Sequence, residues 1–215
     1  MVQAPGCTQI PCRNGTHSYQ LVALDEHLET VFNAGTEDIS YEPGTISPLD
    51  PFYGFTICND LLIRVSEHPT GIHLQGYNQR RTRVLTETVP CTPLPMTERD
   101  RQEVGDWTAS KSWNKRITQE YRKRMSFPRH LPMARRLDVD GDRMFILTYE
   151  ERDRAMHFLV CHPGHGEVQR MRLPFPPPGL PGHIPFRIRD GKVYILQEDE
   201  GNGDWFLLSL PLPLK

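Results

Sequence analysis

Three aspartates stand at alternate positions in "LDVDGDRMFILTYEE", residues 137–151, a spacing at which carboxylates could hold a cation. As a calcium loop of the EF-hand kind the segment fails. Such a loop needs glycine at its sixth position and a bidentate glutamate at its twelfth, where Arg143 and Tyr149 stand. Asp138 and Asp140 share one strand face and Asp140-Gly141 supplies turn chemistry, so Asp138, Asp140 and Asp142 are read as shaping a hairpin corner. A looser oxygen-ligand site for a divalent cation such as calcium is the lesser reading. The segment "HFLVCHPGHGE" gathers His157, Cys161, His162 and His165, all zinc-compatible. Pro163-Gly164 marks a turn there and no second ligand pair follows at zinc-finger spacing. Neighbouring strand residues also point to opposite faces. An ordinary hairpin with exposed histidines is expected, with His162 and His165 as secondary metal candidates.

Other chemistry has less to build on. The chain has no GxSxG nucleophile elbow, and "EDEGNGDW" has neither Walker nor dinucleotide spacing, so no catalytic residue is assigned. The five cysteines, Cys7, Cys12, Cys58, Cys91 and Cys161, form no CxxC pair, and an odd count makes a poor disulfide framework. Six cations crowd residues 111–124 (Lys111, Lys115, Arg116, Arg122, Lys123, Arg124) around an apolar stripe of Trp113, Ile117, Tyr121 and Met125 at four-residue spacing. Thr97 with Asp100 approximates a capping box ahead of that helix. The helix is expected to pack its stripe on the rest of the protein while its cations meet acidic corners; a basic arm for single-stranded nucleic acid is the competing reading.

The elements that position these residues follow from composition and repetition. The 215 residues are 37% hydrophobic and 24% charged, as in a soluble globular protein, and the formal charge of −2 exerts no overall pull toward nucleic acid or anionic membrane. No run approaches the length of a membrane span. Twenty prolines argue for short strands joined by shaped connections rather than for helices. "FTICNDLLIRVSE" from Phe55 overlays "FRIRDGKVYILQE" from Phe186 without a gap, and Leu137–Glu150 is a third copy, one residue longer before Gly141. Each reads as strand, tight turn, strand. A second hairpin type follows: Thr16–Gly35 aligns with Pro69–Thr88, and the stretch from Arg154 has the same shape. With the strands named a to d, the chain reads c-d, a-b-c-d twice, then a-b-c, at the period of a β-propeller blade.

The run "GIHLQGYNQRRTRVLTETVPCTPLPMTERDRQE", a basic helical stretch, then "FPRHLPMARRLDVDGDRMFIL" resembles bacterial six-bladed β-propeller proteins of the broad NHL- and TolB-like group. The match covers about residues 50–198. The resemblance implies an all-β fold, a partial β-propeller of four-stranded antiparallel blades with one helical insertion between blades. The units would be a flexible leader over 1–15, strands c-d over 16–34, a full blade over 52–88, the helical insertion over 95–127, a full blade over 133–173, and strands a–c of a last blade over 184–215. Family members carry six blades and usually an export signal. Here thirteen strands are expected, and "MVQAPGCTQIPCRNG" lacks the basic and apolar regions of a secretory signal. The chain therefore looks like the C-terminal half of such a protein, periplasmic or secreted if more sequence precedes it, or like a half-ring needing a homodimer or its missing N-terminal half.

Strand parity puts the b-c corners and the long d-a connections on one face, where binding usually resides. That face would hold Glu67, Glu150, Glu198, Asp199 and Arg152, with Trp113, Lys115 and Arg122 from the helical insertion. The expected function is a non-catalytic binding or interaction module for a protein or small molecule, without a required cofactor. The resemblance also implies an alternative, a divalent-metal-dependent hydrolase of the gluconolactonase type, with the three glutamates as tempting ligands.

Overall fold

The computed structural model describes residues 6–13, 16–24, 27, 30–40, 45, 47–49, 51–111, 119, 122–150, 155–175, 186–198 and 203–213. Within them lie fourteen strands in four antiparallel sheets, each an up-and-down meander. The first sheet holds β1 (Gly6–Arg13), β2 (Thr16–Leu24) and β3 (Thr30–Ser40). The second holds β4 (Tyr53–Cys58), β5 (Leu61–His68), β6 (Gly71–Tyr77) and β7 (Arg83–Pro90). Helix α1 (Glu98–Lys111) separates it from the third, β8 (Arg136–Asp140), β9 (Arg143–Leu147), β10 (Met156–Cys161) and β11 (Val168–Leu173). The fourth holds β12 (Phe186–Arg189), β13 (Lys192–Glu198) and β14 (Trp205–Pro211). The protein is all-β, with two sheets of four strands and two of three among the described residues.

The first hairpins of the last three sheets are in equivalent register. Cys58 pairs with Leu61, Asp140 with Arg143, and Arg189 with Lys192. Asn59 and Asp60 have φ of 50° and 58°, Asp190 and Gly191 of 51° and 68°, the left-handed pair that a two-residue hairpin needs to follow strand twist. Gly141 supplies φ 62° in the third copy. One expectation is corrected. Residues 6–13 were assigned to a flexible leader, but they form β1, paired antiparallel to β2 from Gly6↔Val22 to Arg13↔Thr16. Pro11, which cannot donate to a ladder, falls at the register shift between Ile10 and Arg13.

The sheets stack face to face, and the apolar pattern states why. In β9, Met144 and Ile146 point into a core shared with Ile63, Val65, Ile72 and Leu74 of the second sheet. Phe145 and Leu147 point the other way, into a core with Phe186, Ile188, Val193 and Ile195 of the fourth. These four residues are fully buried, as in a strand covered on both faces, and only Arg143 at the start of β9 is not. Phe158 of β10 meets Phe186 edge to face at 5.4 Å. The second sheet is covered on both faces too. Opposite Ile63 and Val65, Tyr77 donates to the Ala34 carbonyl at 2.8 Å and meets Phe32 edge to face. Strand β8 lies beside both β4 and β12, so the first strands of three successive sheets are neighbours.

Aspartates fasten the third sheet to the fourth. Asp138, buried, accepts from the Ile188 amide at 2.6 Å and from Arg187 at 3.1 Å. Asp140 accepts from the Asp190 and Gly191 amides at 3.0 and 2.8 Å. Cys58 occupies the position of Asp140 one sheet earlier, and its Sγ approaches the Gly141 carbonyl at 3.9 Å. The sequence reading of these aspartates as corner residues is therefore incomplete: they act across a sheet boundary.

Helix α1 opens with the expected capping box. The Thr97 amide donates to Asp100 Oδ2 at 2.7 Å and the Asp100 amide to Thr97 Oγ1 at 3.3 Å. The helix is anchored by Val104, which enters a third small core with Leu49, Met96, Leu131 and Tyr149. The expected anchoring stripe lies largely outside the described residues, since Trp113, Ile117 and Tyr121 all do. Among the described residues no helix is long and apolar enough to cross a membrane.

Candidate functional site

At the end of β5, Glu67 reaches across to the segment that leads into β8. Its Oε1 accepts from the Met133 amide at 2.6 Å and from the Ala134 amide at 3.2 Å, and the Phe52 amide, just before β4, also donates to this carboxylate. Burial pushes its pKa above the ordinary value, and the three amides pull against that shift. Glu67 is thus a latch that ties two loops to one corner.

The latched loops wall a cleft of about 300 Å³. Pro51, Pro69, Pro93, Pro128 and Pro132 form much of its wall, with Leu49, Leu131 and Met133. Prolines fix φ, so this wall is stiff before anything binds. The strips on either side of it are cross-bonded. Leu131 donates to the Leu94 carbonyl at 2.8 Å, Met96 donates to the Arg129 carbonyl at 3.0 Å, and Pro95 pairs with His130. The polar lining is Glu67, His68, Arg129 and His130. His68 stacks on His73 with centroids 4.2 Å apart and places Nδ1 3.1 Å from Thr70 Oγ1. With the glutamate engaged by amides, the groups left to meet a ligand are mainly cationic or hydrogen-bond donors. The arrangement suits a small molecule with an apolar body and an anionic or acceptor group.

Beneath the cleft runs a polar network. Arg135 lies over the Tyr149 ring at 4.8 Å and bonds its hydroxyl, with Glu103 of α1 nearby. Burial lowers the Arg135 pKa and raises that of Tyr149, and each partially offsets the other. Glu150, one residue on, holds Arg170 with both carboxylate oxygens, one at 2.6 Å, and lies 3.7 Å from His157 Nδ1.

The sequence candidates fall into separate places. Glu67 and Glu150 both raise the pKa of the Cys91 thiol by their charge, Glu150 the more strongly. Glu198 ends β13 in the fourth sheet, and Asp199, Arg152, Trp113 and Lys115 lie outside the described residues. Arg122 was expected to meet an acidic corner; it pairs instead with Asp106 of α1 at 3.0 Å, the same carboxylate that Gln102 holds one turn away. Asp142 Oδ2 is 3.3 Å from His162 Nδ1, and the His162 and His165 rings lie 5.9 Å apart, while Cys161 is buried on the opposite strand face. Among the described residues no three metal-ligating side chains converge. His68, Arg129 and His130 were missed. Their one sequence signal is "FPRHLPM", an arginine and a histidine held between prolines.

The buried thiols are not poised as nucleophiles. Burial, with nearby carboxylates, pushes Cys58 and Cys91 to about 11 and Cys161 to about 12. A variant with Cys7 and Cys12 replaced by serine should therefore react with a colorimetric disulfide reagent at pH 8 only at the rate of unfolding. Fast labelling of one thiol in the folded protein would contradict that burial.

No protein-family model and no curated protein matches this sequence, so function must be argued from the geometry of the site.

Proposed function

We propose that this chain is a non-catalytic binding module built as part of a β-propeller, and that its ligand enters the proline-walled cleft on the long-loop face. What supports the propeller reading is the repeated stack of meandering sheets, with β4, β8 and β12 side by side and each first hairpin contacting the next one's turn. The observation that carries the binding reading is the cleft itself, stiffened by five prolines and the Glu67 latch and edged by Arg129, His130 and His68. Its size is at the lower end for small-ligand sites.

A thermal-shift panel of small apolar carboxylates, including benzoate and 3-phenylpropionate, tests this reading. At least one should raise the melting temperature of the protein and fail to do so with Arg129→Ala. A panel that leaves the protein unmoved counts against the cleft. The competing reading, a divalent-metal hydrolase, would use Glu67 and Glu150, yet both carboxylates already hold strong partners. It requires that chelation lower the melting temperature and that added divalent metal produce lactone turnover.

A further inference from the structure

The fourth sheet ends differently from the second and third. In those, the third strand of the meander, β6 or β10, is followed and paired by a fourth, β7 or β11, antiparallel to it. Strand β14 holds the third place in its own sheet, and among the described residues no strand pairs with its outer edge. Its side chains report the open edge on both faces. Trp205 and Leu207, on the outer face, are 57% and 63% exposed. Phe206, on the same side as Leu208 and Leu210, which pack on the core, is still 42% exposed.

The backbone groups left on that edge follow from the ladder. The Leu212 amide donates to the Gly191 carbonyl at 2.9 Å, and the register runs without a break from Lys192↔Pro211 to Glu198↔Trp205. Alternation then turns Leu210, Leu208 and Phe206 toward β13 and leaves the N–H and C=O groups of Trp205, Leu207 and Ser209 on the outer edge. Pro211 faces that edge too, so its missing N–H takes nothing from the pairing with β13. Open strand edges are normally blunted by charge. The last strands of the other sheets carry it: Glu37 and Asp38 in β3, Arg83 and Glu87 in β7, Arg170 and Arg172 in β11. "WFLLSLP", which is β14, carries none.

We propose that β14 pairs with β14 of a second copy about a two-fold axis at Leu207, joining two three-stranded sheets into one. A strand that meets its own copy across a two-fold axis is antiparallel, the sense in which β7 and β11 meet their neighbours. Because the strand is uncharged, the two copies meet with no like charges opposed. With Leu207 opposite Leu207, each Trp205 lies diagonal to the other copy's Leu207 and each Phe206 opposes Leu208, so both apolar faces continue across the seam. About six backbone hydrogen bonds form between the copies. The paired stretch is roughly 17 Å long, short of the ~800 Å² per partner of a standard interface, so the pair is weak and forms at concentrations on the order of 100 μM. The contact uses up the open edge of both copies and therefore closes at two. Among the described residues none of the fourth sheet lines the cleft, and the inference does not rest on the binding reading.

Sedimentation velocity of the full chain at concentrations up to about 500 μM should show monomer and dimer in exchange and nothing larger. Leu207→Lys, at an exposed side chain, opposes two ammonium groups at the axis and should weaken the dimer about tenfold or more while keeping the wild-type circular dichroism spectrum. With Cys7 and Cys12 replaced by serine, Leu207→Cys should form a disulfide between copies about tenfold or more faster than Ser209→Cys, since only position 207 meets itself. A wild-type monomer throughout that range overturns the proposal. So does a dimer indifferent to Leu207→Lys, an open-ended series of oligomers, or cross-linking as fast at position 209 as at 207.

Discussion

Glu67→Ala should lower folding stability by about 3 kcal/mol, while Glu67→Gln should recover at least half of that loss. The alanine variant leaves the Met133 and Ala134 amides, both on buried residues, and the Phe52 amide without their acceptor. Each buried donor left unpaired costs about 1–3 kcal/mol, and neighbouring losses of this kind are not additive, so about 3 is the central expectation. Glutamine keeps a carbonyl oxygen where Oε1 accepts two of the three amides. Urea titrations of the three proteins provide the check, and equal losses for alanine and glutamine would show that the charge rather than the acceptor holds the loops. The pH dependence has a definite sign. The native carboxyl titrates above the ordinary 4.5, so between 4.5 and its native value the folded state binds more protons than the unfolded state. Its contribution therefore falls as pH rises through that window. Wild-type stability measured against Glu67→Gln should decline across the same interval and be level on either side.

Asp138→Ala is the second large effect, at about 2–4 kcal/mol. Its carboxylate satisfies the amide of Ile188, which is 2% exposed at the boundary between the third and fourth sheets. That unpaired amide accounts for most of the loss. The Arg187 pair adds little because the arginine side chain is 74% exposed and screened by solvent. Asp138→Asn should recover most of that loss, because its carbonyl oxygen can accept from the Ile188 amide while its NH2 turns toward the exposed Arg187. Asp140→Ala, whose partners are exposed, should cost clearly less. If Asp140→Ala matched Asp138→Ala, burial would not be the reason for the difference assigned here.

The hairpins were legible because their information is local. Asn59-Asp60, Asp190-Gly191 and Gly141 impose left-handed turns, and the alternating residues beside them follow at once. The helix start was legible for the same reason, through Thr97 and Asp100 three residues apart. Partners separated by many residues were not. Glu67 and Met133 are 66 positions apart, and nothing near either residue announces the other. Asp138 looked like a cation ligand or a corner residue because its actual partner, Ile188 N–H, is a backbone group that no side-chain pattern reveals. Strand β1 was missed because Pro11 and two cysteines read as loop composition, although a bulge accommodates the proline. The cleft residues were missed because rigidity contributed by five prolines from four separate segments is visible only after folding.

Strand β9 is apolar on both faces, and this removes a safeguard that most strands have. When one face is polar, sliding a strand by a single residue drives charged groups inward and the error is rejected. For Met144, Phe145, Ile146 and Leu147 a slip would exchange one set of buried apolar side chains for another. Hydrophobicity alone cannot tell the right alignment from the wrong one. Discrimination must come from the ends: the Gly141-Asp142 corner fixes β9 against β8 from the Asp140↔Arg143 pair inward, and Asp138 in turn fixes β8 against the fourth sheet through the Ile188 amide. The "LDVDGD" corner thus sets the alignment of a strand that burial by itself leaves unspecified.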